Sequence, residues 1–517
     1  MILIKDSIVV DGTGAPAQRA DIVIKDDRII AIGNLKNHEA DIVIEGLGTI
    51  TTPGFIDVNT DSDHYLSLFT DPLQQDFLKQ GVTTIIGGHC GSSLAPLLYG
   101  TLESIRKWGD TSGVNVNWNT MAEFLKTLER LKLGVNFGSL VGHSTIRRAL
   151  IGEVKRDLTE REMEVFADIV QTALKEGALG LSTGLGYSHG RATPYHEIKE
   201  LVDIVKKYNG VYATHLRNER EDVVAAMKEA LMIAKDTGAK TLISHFRPIV
   251  GFENEFEKAL SLIETAGSSF DVHYDLYPFN YSILPIYTLL PNWAHEGSLE
   301  QMHEQVSDEH MEAEIIKDIP SFKSDDLIIA RATGFDYLVG KSVGEFAKGQ
   351  GMTLKKGLLH LMRITKLKAV LFYKNINLGV AQNALISDKA LVASNSPSLL
   401  ESKNVLENDR AKRTFTEFLH LLSQFKKKSL EWAVAKITSE PARKFNLKDR
   451  GVIKEGAIAD LVLMRPMVPN APASPSASQG GPLGGDNKIV HVLLGGQLVV
   501  RDGETTGLRA GKVIRRT

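Results

Sequence analysis

The sequence predicts an α/β protein: a TIM-like (β/α)8 barrel with a small composite β-sandwich domain from both termini and a small inserted subdomain. Short apolar runs such as VTTIIGG, VNFGSLVGH, ALGLSTG and GVYATH alternate with helical stretches such as EREMEVFADIVQTALKEG in the middle of the chain. Both chain ends instead alternate β-branched with polar residues. Repeated βα units imply a parallel sheet, and the similar character of the two ends predicts that they pair into one domain.

Shifts in composition give the domain boundaries. The opening strands predict β-structure over 1–53, and GVIKEGAIADLVLM and KIVHVLLGGQLVVRDGE predict returning strands within 441–517. The barrel then occupies 54–440, and the charged helical stretch EQMHEQVSDEHMEAEIIKDIP, without a strand partner, predicts an insert at about 285–345. PNAPASPSASQGGPLGGDN, 469–487, is rich in Pro, Gly and Ser and is expected to be a mobile surface loop.

The composition favours a protein that acts on a small molecule. The chain has 517 residues, 43% of them hydrophobic and 24% charged, which is ordinary for a globular protein. Its net charge of −3, without long basic blocks, gives no electrostatic reason to expect nucleic acid or an anionic membrane as partner. The sequence shows no signal core or membrane span, and its single cysteine excludes an intrachain disulfide, so we expect a cytoplasmic protein.

Four predicted strand ends carry side chains suited to metal binding or acid–base chemistry. They are Cys90 in IIGGHCGSSLAPL, His215 in VYATHLRNE, His245 in LISHFRP and Asp388 in ALISDKAL. Each taken alone is more often structural, and a lone buried cysteine is usually a small core residue. Side chains at the ends of parallel barrel strands converge above the core, however, and a thiolate with two imidazoles is a suitable zinc shell.

With these motifs the sequence resembles the N-acyl-D-amino-acid deacylases, a branch of the amidohydrolase superfamily. The resemblance covers nearly the whole chain, from TTPGFID through QGVTTIIGGHCGSSLAPL, YATHLRNE and DLYPFNYS to ITSEPARKFNLKDRGVIKEGAIADLVLM. It implies a zinc-dependent hydrolase that cleaves the linear amide of an N-acyl-D-amino acid or a related compound into a carboxylate and an amino acid. It also implies a tightly held zinc on Cys90, His215 and His245.

The stretch PGFIDVNTDSD departs from the pattern that the resemblance implies. A His-x-His pair for a second, weakly held metal is expected after GFID, where this chain has Asn59 and Asp61. An oxygen-rich second site of Asn59, Asp61 and Asp388 would bind zinc much more weakly. His64 and His89 are alternative ligands, although polar loop residues occupy such positions equally well. We therefore predict one tight zinc per chain, without the binuclear centre.

Asp388 is the predicted catalytic base. A strand-end carboxylate can take a proton from the attacking water and return it to the leaving amine. The alternative is a capping aspartate, because the SD pair before a helix-like run is also typical of a helix N-terminus.

The substrate carboxylate is expected to bind arginine, whose planar guanidinium matches a carboxylate in a bidentate way. Arg247 follows His245 by two residues, and Arg410 lies in ENDRAKRTFTEFL, which looks like a diverged form of a His-Pro-Arg segment of the family. Tyr277 and Tyr281 in DLYPFNYS can donate a hydroxyl to the carboxylate or oxyanion, and Tyr277 is the predicted ligand of the two. Aromatic packing is the alternative for both rings.

Two other functions fit the same barrel. A cyclic-amide hydrolase of the hydantoinase or dihydropyrimidinase kind would use the same chemistry, although such enzymes typically bridge two metals with a carboxylated lysine and need no cysteine. A noncatalytic protein could keep the fold after its metal site has decayed, because a fold does not guarantee an activity. The missing His-x-His pair motivates this last alternative.

Overall fold

The computed structural model describes residues 1–35, 38–99, 102, 105, 114–187, 189–266, 270–295, 297–399, 408–424, 428–466 and 489–516. The predicted mobile loop at 469–487 lies outside these residues. Within them, the predicted fold class is confirmed: the chain forms a barrel, a composite β-domain and an inserted subdomain.

Strands from both chain ends form one nine-stranded sheet. They are β1 (Ile2–Val9), β2 (Gln18–Lys25), β3 (Arg28–Gly33), β4 (Ile42–Glu45), β5 (Ile50–Pro53), β18 (Leu461–Met464), β19 (Ile489–Leu494), β20 (Gln497–Arg501) and β21 (Glu504–Thr505). The order is β21-β20-β19-β18-β5-β1-β2-β3, with β4 beside β1. The antiparallel pair of β18 and β5 joins the two ends, with Leu461 opposite Pro53. Ile4, Ile22 and Leu493 share one buried core, so the two halves of the sheet pack face to face.

The barrel strands are parallel and fully or almost fully buried. They are β6 (Phe55–Asp57), β7 (Val82–Gly87), β8 (Asn136–Ser139), β9 (Val141–Gly142), β10 (Gly180–Gly184), β11 (Val211–His215), β12 (Lys240–Ile243), β13 (Val272–Leu276) and β17 (Ala390–Val392). β8 pairs with β7 and β9 with β10, so these two act as one strand interrupted at Leu140. The ring closes between β17 and β6, where the Asn395 N–H donates to the Asn59 carbonyl over 2.9 Å. Burial on both faces explains the continuous apolar runs in the sequence.

Helices surround the barrel and fill the insert. They are α1 (Ser67–Thr70), α2 (Gln75–Lys79), α3 (Met121–Leu131), α4 (His143–Ile151), α5 (Glu160–Lys175), α6 (Tyr195–Lys207), α7 (Val223–Thr237), α8 (Glu253–Thr265), α9 (Leu299–Ser307), α10 (Glu312–Asp318), α11 (Val343–Gly349), α12 (Leu354–Ile364), α13 (Leu378–Leu385), α14 (Asp409–Gln424), α15 (Leu430–Ile437) and α16 (Ser439–Lys444). In α5, Thr159 and Glu162 form a capping box, and Phe166 and Val170 lie on the buried face. Within the described part of the chain, no helix has both the length and the apolar character needed to cross a bilayer.

The insert is larger than the predicted 285–345 and contains its own sheet. β14 (Ser282–Pro285), β15 (Leu327–Arg331) and β16 (Val370–Tyr373) are antiparallel in the order β14-β16-β15. Helices α9 to α12 pack on a hydrophobic core of their own, which includes Met302, Leu358 and Leu371. These strands are far apart in the sequence, so their pairing left no local hairpin signal, and only the helical stretch was visible.

Candidate metal centre and substrate cavity

A cavity of about 420 Å³ opens at the carboxyl ends of the barrel strands. Cys90 follows β7, His215 is the last residue of β11, and His245 follows β12. All three line the cavity, together with Asp61 and Arg247. This is the end of a TIM barrel at which active sites lie, because loops there can vary without disturbing the barrel core.

Cys90, His215 and His245 come together as one group. One potential ligand atom from each lies within 4.8 Å of the other two. The Cys90 Sγ is 3.3 Å from the His245 Nε2, and the two imidazole rings meet edge to face with centroids 4.5 Å apart. The barrel strands and the loops that follow them therefore gather three residues that are far apart in the sequence.

The chemistry of these three side chains fits a soft divalent metal such as zinc. Burial, followed by the charge of Asp61, raises the pKa of the Cys90 thiol, so a thiolate there needs a cation beside it. Burial lowers the pKa of His215 to about 3, which keeps its imidazole in the neutral form that ligates metals. The His215 Nδ1 is buried and has no hydrogen-bond partner among the described residues. Thiolate and imidazole donors at this spacing match a three-ligand zinc site.

Three cavity residues have left-handed backbone conformations. The φ angles are 53° at Cys90, 38° at His245 and 46° at Asn395. Such conformations are unfavourable for a residue with a side chain, at about 1–3 kcal/mol each, and tend to occur at functional sites. Gly88, with φ 77°, permits the turn before Cys90, since a Cβ there would lie 2.2 Å from the Leu140 carbonyl oxygen.

Glu219 connects the histidines to Arg247. Its Oε1 lies 3.0 Å from the His245 Nδ1, and its Oε2 accepts from the Arg247 guanidinium and lies 3.8 Å from the His215 Nε2. Burial opposes ionisation, but Arg247 and the two histidines hold the pKa of the Glu219 carboxyl well below its usual range. An anionic acceptor on Nδ1 leaves the His245 Nε2 directed at Cys90, which is the ring orientation that metal coordination requires.

Asn59 lies outside this group and faces a buried aspartate instead. Its amide nitrogen donates to both carboxylate oxygens of Asp275, over 3.3 and 3.2 Å. The Asp275 Oδ1 also accepts the backbone N–H of His245 over 2.8 Å, and burial raises the pKa of Asp275 to about 7. The Asn395 Nδ2 lies 3.5 Å from the Asn59 Oδ1. Asn59 is therefore part of a hydrogen-bonded chain beneath the cavity.

Asp61 lines the cavity, while His64 and His89 are buried beside it. The Asp61 Oδ1 is 3.2 Å from the His64 Nδ1. Burial lowers the pKa of His89 to about 3, which favours its neutral form. Among the described residues, the potential metal-binding group comprises Cys90, His215 and His245, without Asp61 or either of these histidines.

The structure corrects the position predicted for Asp388. Its side chain is 73% exposed and pairs with the Lys428 Nζ at 2.9 Å and the Trp432 Nε1 at 2.8 Å. The apolar run before Asp388 is helix α13, and β17 begins only at Ala390, so Asp388 lies at the amino end of the strand. The residue that follows β17 into the cavity is Asn395. Asp388 therefore cannot reach the candidate metal group.

Of the three predicted substrate-binding residues, Arg247 lies at the cavity, whereas Arg410 and Tyr277 are buried. Arg247 lines the cavity, and its Nη1 donates to the Ser282 Oγ over 3.0 Å. Arg410 is almost completely buried, with its guanidinium 3.9 Å from the centroid of the Tyr277 ring. Within the described structure, the Tyr277 hydroxyl and the Arg410 Nη1 are buried without a hydrogen-bond partner. Tyr281 lies farther out, with its ring centroid 5.9 Å from the same guanidinium.

Sequence reasoning missed Glu219, Ser282, Asp275 and Asn395. Glu219 follows His215 by four residues within YATHLRNE, and a carboxylate so close to a strand-end histidine is a usable signal. Asn395 was hidden because the strand before it was assigned to the wrong apolar run. Asp275 is buried beneath the cavity, and its role depends on contacts that no local pattern shows.

The comparisons with known proteins agree with this geometry. D-aminoacylase from Alcaligenes xylosoxydans xylosoxydans is 28% identical over 523 residues, covering 100% of this chain and 98% of the relative. A crystal structure of D-aminoacylase, which defines a subset of the amidohydrolases, superposes with a TM-score of 0.81 at 27% identity, covering 100% and 99% of the two chains. N-acyl-D-glutamate deacylase from Bordetella bronchiseptica, solved with zinc and a phosphonate mimic of the tetrahedral intermediate, gives 0.79 at 26%, covering 99% of each chain.

Work on the binuclear centre of D-aminoacylase assigns activation to one metal and attenuation to a second. Hydantoinases such as the D-hydantoinase from Thermus share the fold at a TM-score of 0.54 and 14% identity, covering 100% and 99% of the two chains. No family model matches the chain. The barrel, the composite β-domain and the group at the strand ends define an amidohydrolase. Over the full length of the chain, sequence and structure are similar to the N-acyl-D-amino-acid deacylases of that class.

Proposed function

We propose that this protein is a zinc-dependent hydrolase that cleaves the linear amide bond of N-acyl-D-amino acids, releasing a carboxylate and a free amino acid. The observation that carries the proposal is the buried group of Cys90, His215 and His245 in one cavity with Arg247. A metal group beside an arginine suits a substrate that presents an amide carbonyl and a carboxylate a few bonds apart.

Cys90, His215 and His245 would hold the zinc. When bound, zinc lowers the pKa of a coordinated water and polarises the amide carbonyl. The protein fixes the geometry: Glu219 accepts the Nδ1–H of His245 and Asp275 accepts its backbone N–H, so both ends of that residue are held. The proposed single zinc is consistent with Asn59, whose amide is engaged with Asp275.

The substrate carboxylate would bind at the Arg247 side of the cavity. Arg247 and Ser282 present a guanidinium and a hydroxyl there, 3.0 Å apart. Arg410 and Tyr277 are buried and stack on each other outside the described lining of the cavity, so Arg247 is the arginine that the substrate carboxylate would contact.

The insert gives the cavity an apolar wall. Ile283, Leu284, Leu289 and Leu290 line it opposite the polar residues of the barrel loops. An apolar part of the substrate, either the acyl group or the amino-acid side chain, would bury its surface against this wall, which favours binding. We also propose a cytoplasmic location, since the single cysteine is a proposed zinc ligand and must stay reduced.

The test is a panel of N-acyl-D- and N-acyl-L-amino acids and cyclic amides, assayed on purified protein whose zinc content has been measured. We expect about one zinc per chain and release of free amino acid from the D-series. Hydrolysis of hydantoins or dihydropyrimidines alone would favour the cyclic-amide alternative. Zinc binding without hydrolysis of any amide would favour the noncatalytic protein.

A further inference from the structure

The proposed hydrolysis needs a group that accepts a proton from the attacking water. Asp388 is too far from the cavity, and the residue that β17 presents there, Asn395, cannot ionise near neutral pH. The acceptor is therefore expected among the other carboxylates around the candidate metal group.

Glu221 and Asp318 also line the cavity but are exposed to solvent, and three of the remaining carboxylates are already held by hydrogen bonds. Glu219 is bound through one oxygen to His245 and through the other to Arg247. Asp275 accepts from the His245 backbone and the Asn59 amide, and Asp57 accepts from the Ser394 N–H over 3.1 Å. Neither Asp57 nor Asp275 is among the described residues that line the cavity.

Asp61 combines access to the cavity with a fixed orientation. Its side chain is 10% exposed and lines the same cavity as Cys90, His215 and His245. Its backbone N–H donates to the Ser396 carbonyl over 3.2 Å, which ties the loop after β6 to the loop after β17. In the described structure its Oδ1 pairs with His64, and no hydrogen bond involves its Oδ2.

His64 fixes that orientation from behind. Its Nδ1 lies 3.2 Å from the Asp61 Oδ1, and its Nε2 lies 3.1 Å from the Ser92 carbonyl oxygen. A carboxylate and a carbonyl both accept hydrogen bonds, so both ring nitrogens must carry hydrogen, and the ring is an imidazolium. A buried cation that is bound on both sides holds Asp61 as an anion in one rotamer.

We propose that Asp61 is the catalytic proton acceptor and donor of this enzyme, with His64 as its positioning residue; the inference rests on the proposed amide hydrolysis. An O–H bond of the attacking water breaks, the proton passes to the Asp61 Oδ2, and the water oxygen forms a bond to the amide carbon. The C–N bond then breaks as the same proton passes from Asp61 to the departing nitrogen. The products are a carboxylic acid group, which ionises in water, and a free amine.

The decisive experiment compares Asp61→Asn with Asp388→Asn on the substrate that the wild-type protein hydrolyses. We expect Asp61→Asn to lower turnover by about 10²–10⁴-fold, the usual scale of acid–base catalysis, with Asp388→Asn within about twofold of wild type. Zinc content and calorimetric affinity for the substrate should be unchanged in both variants, which separates lost chemistry from a lost site. If Asp61→Asn keeps wild-type turnover, Asp61 is not the acceptor.

Two further variants test the proposal in case Asp61→Asn does not fold. Asp61→Asn removes the carboxylate that faces the His64 Nδ1, so the double variant Asp61→Asn with His64→Gln removes both charges of the pair and should fold with zinc bound but stay slow. Asp61→Ala opens space for a small carboxylate, and added formate should restore part of its turnover. Failure of formate, or a fully active double variant, overturns the proposal. Inactivity of the wild-type protein on every amide would instead refute the proposed function itself.

Discussion

The contact between Glu219 and His245 predicts how much zinc affinity is lost when Glu219 is replaced. Glu219→Gln keeps the size of the side chain but removes the negative charge that faces the His245 Nδ1 at 3.0 Å and the Arg247 guanidinium. Loss of an outer acceptor of a metal-binding histidine usually lowers metal affinity by about 10–100-fold. We therefore expect a zinc dissociation constant raised by about 10–100-fold, which corresponds to about 1.4–2.8 kcal/mol of binding free energy.

The chain offers a matched control for this variant. Glu197 is also buried beside a histidine and an arginine, with its Oε1 2.8 Å from the His143 Nε2 and 3.0 Å from the Arg147 Nε. Glu197 is not among the described residues lining the cavity, so Glu197→Gln should lower the free energy of unfolding and leave zinc affinity unchanged.

The assay is a competition between protein and a chromogenic zinc chelator, combined with thermal unfolding of each variant without metal. Glu219→Gln should lose zinc at a chelator concentration at which wild type and Glu197→Gln retain it. If Glu219→Gln binds zinc as tightly as wild type, Glu219 does not support the metal site. An equal loss of zinc affinity in both variants would also refute this role, because the effect would then be general destabilisation.

Four other results are expected. Cys90→Ala should abolish zinc binding and hydrolysis, as atomic absorption and the amide assay would show, whereas loss of a merely packed cysteine would lower only stability. In steady-state kinetics Arg247→Ala should raise KM more than it lowers kcat, because a carboxylate contact stabilises ground and transition states alike; a loss confined to kcat would contradict this role. Asn59→His combined with Asp61→His should bind a second metal yet lose turnover; higher turnover would contradict the role of Asp61. Burial lowers the pKa of His64, but the carboxylates of Asp63 and Asp61 outweigh burial and raise that pKa from 6.5 to about 9. The stabilising effect of the imidazolium is therefore full below pH 6.5 and is lost as pH rises through 9. The difference in Tm between wild type and His64→Gln should thus narrow from about pH 6 to pH 10, and a difference that widens would refute the ion pair.

The local sequence was sufficient to predict the fold class and three side chains of the candidate metal group. Buried parallel strands need continuous apolar runs, so VTTIIGG, GVYATH and KTLISHF could be recognised and their last residues placed at one end of the barrel. Because Cys90, His215 and His245 lie at or just after those strand ends, they could be predicted to lie close together. The opening stretch and the C-terminal stretches also alternate as strands do, but the order of their strands in one sheet left no local signal.

Only the tertiary structure decided which carboxylates face the cavity. Two apolar runs flank Asp388, and a helix and a strand of similar composition cannot be told apart by periodicity over so few residues. Once the strand is placed after Asp388, Asn395 enters the cavity and Asp388 turns to solvent. The direction of Asn59 towards Asp275 and the pairing of Asp61 with His64 depend on side chains brought together by barrel closure, because hydrogen-bond partners in a closed barrel come from strands that are distant in sequence.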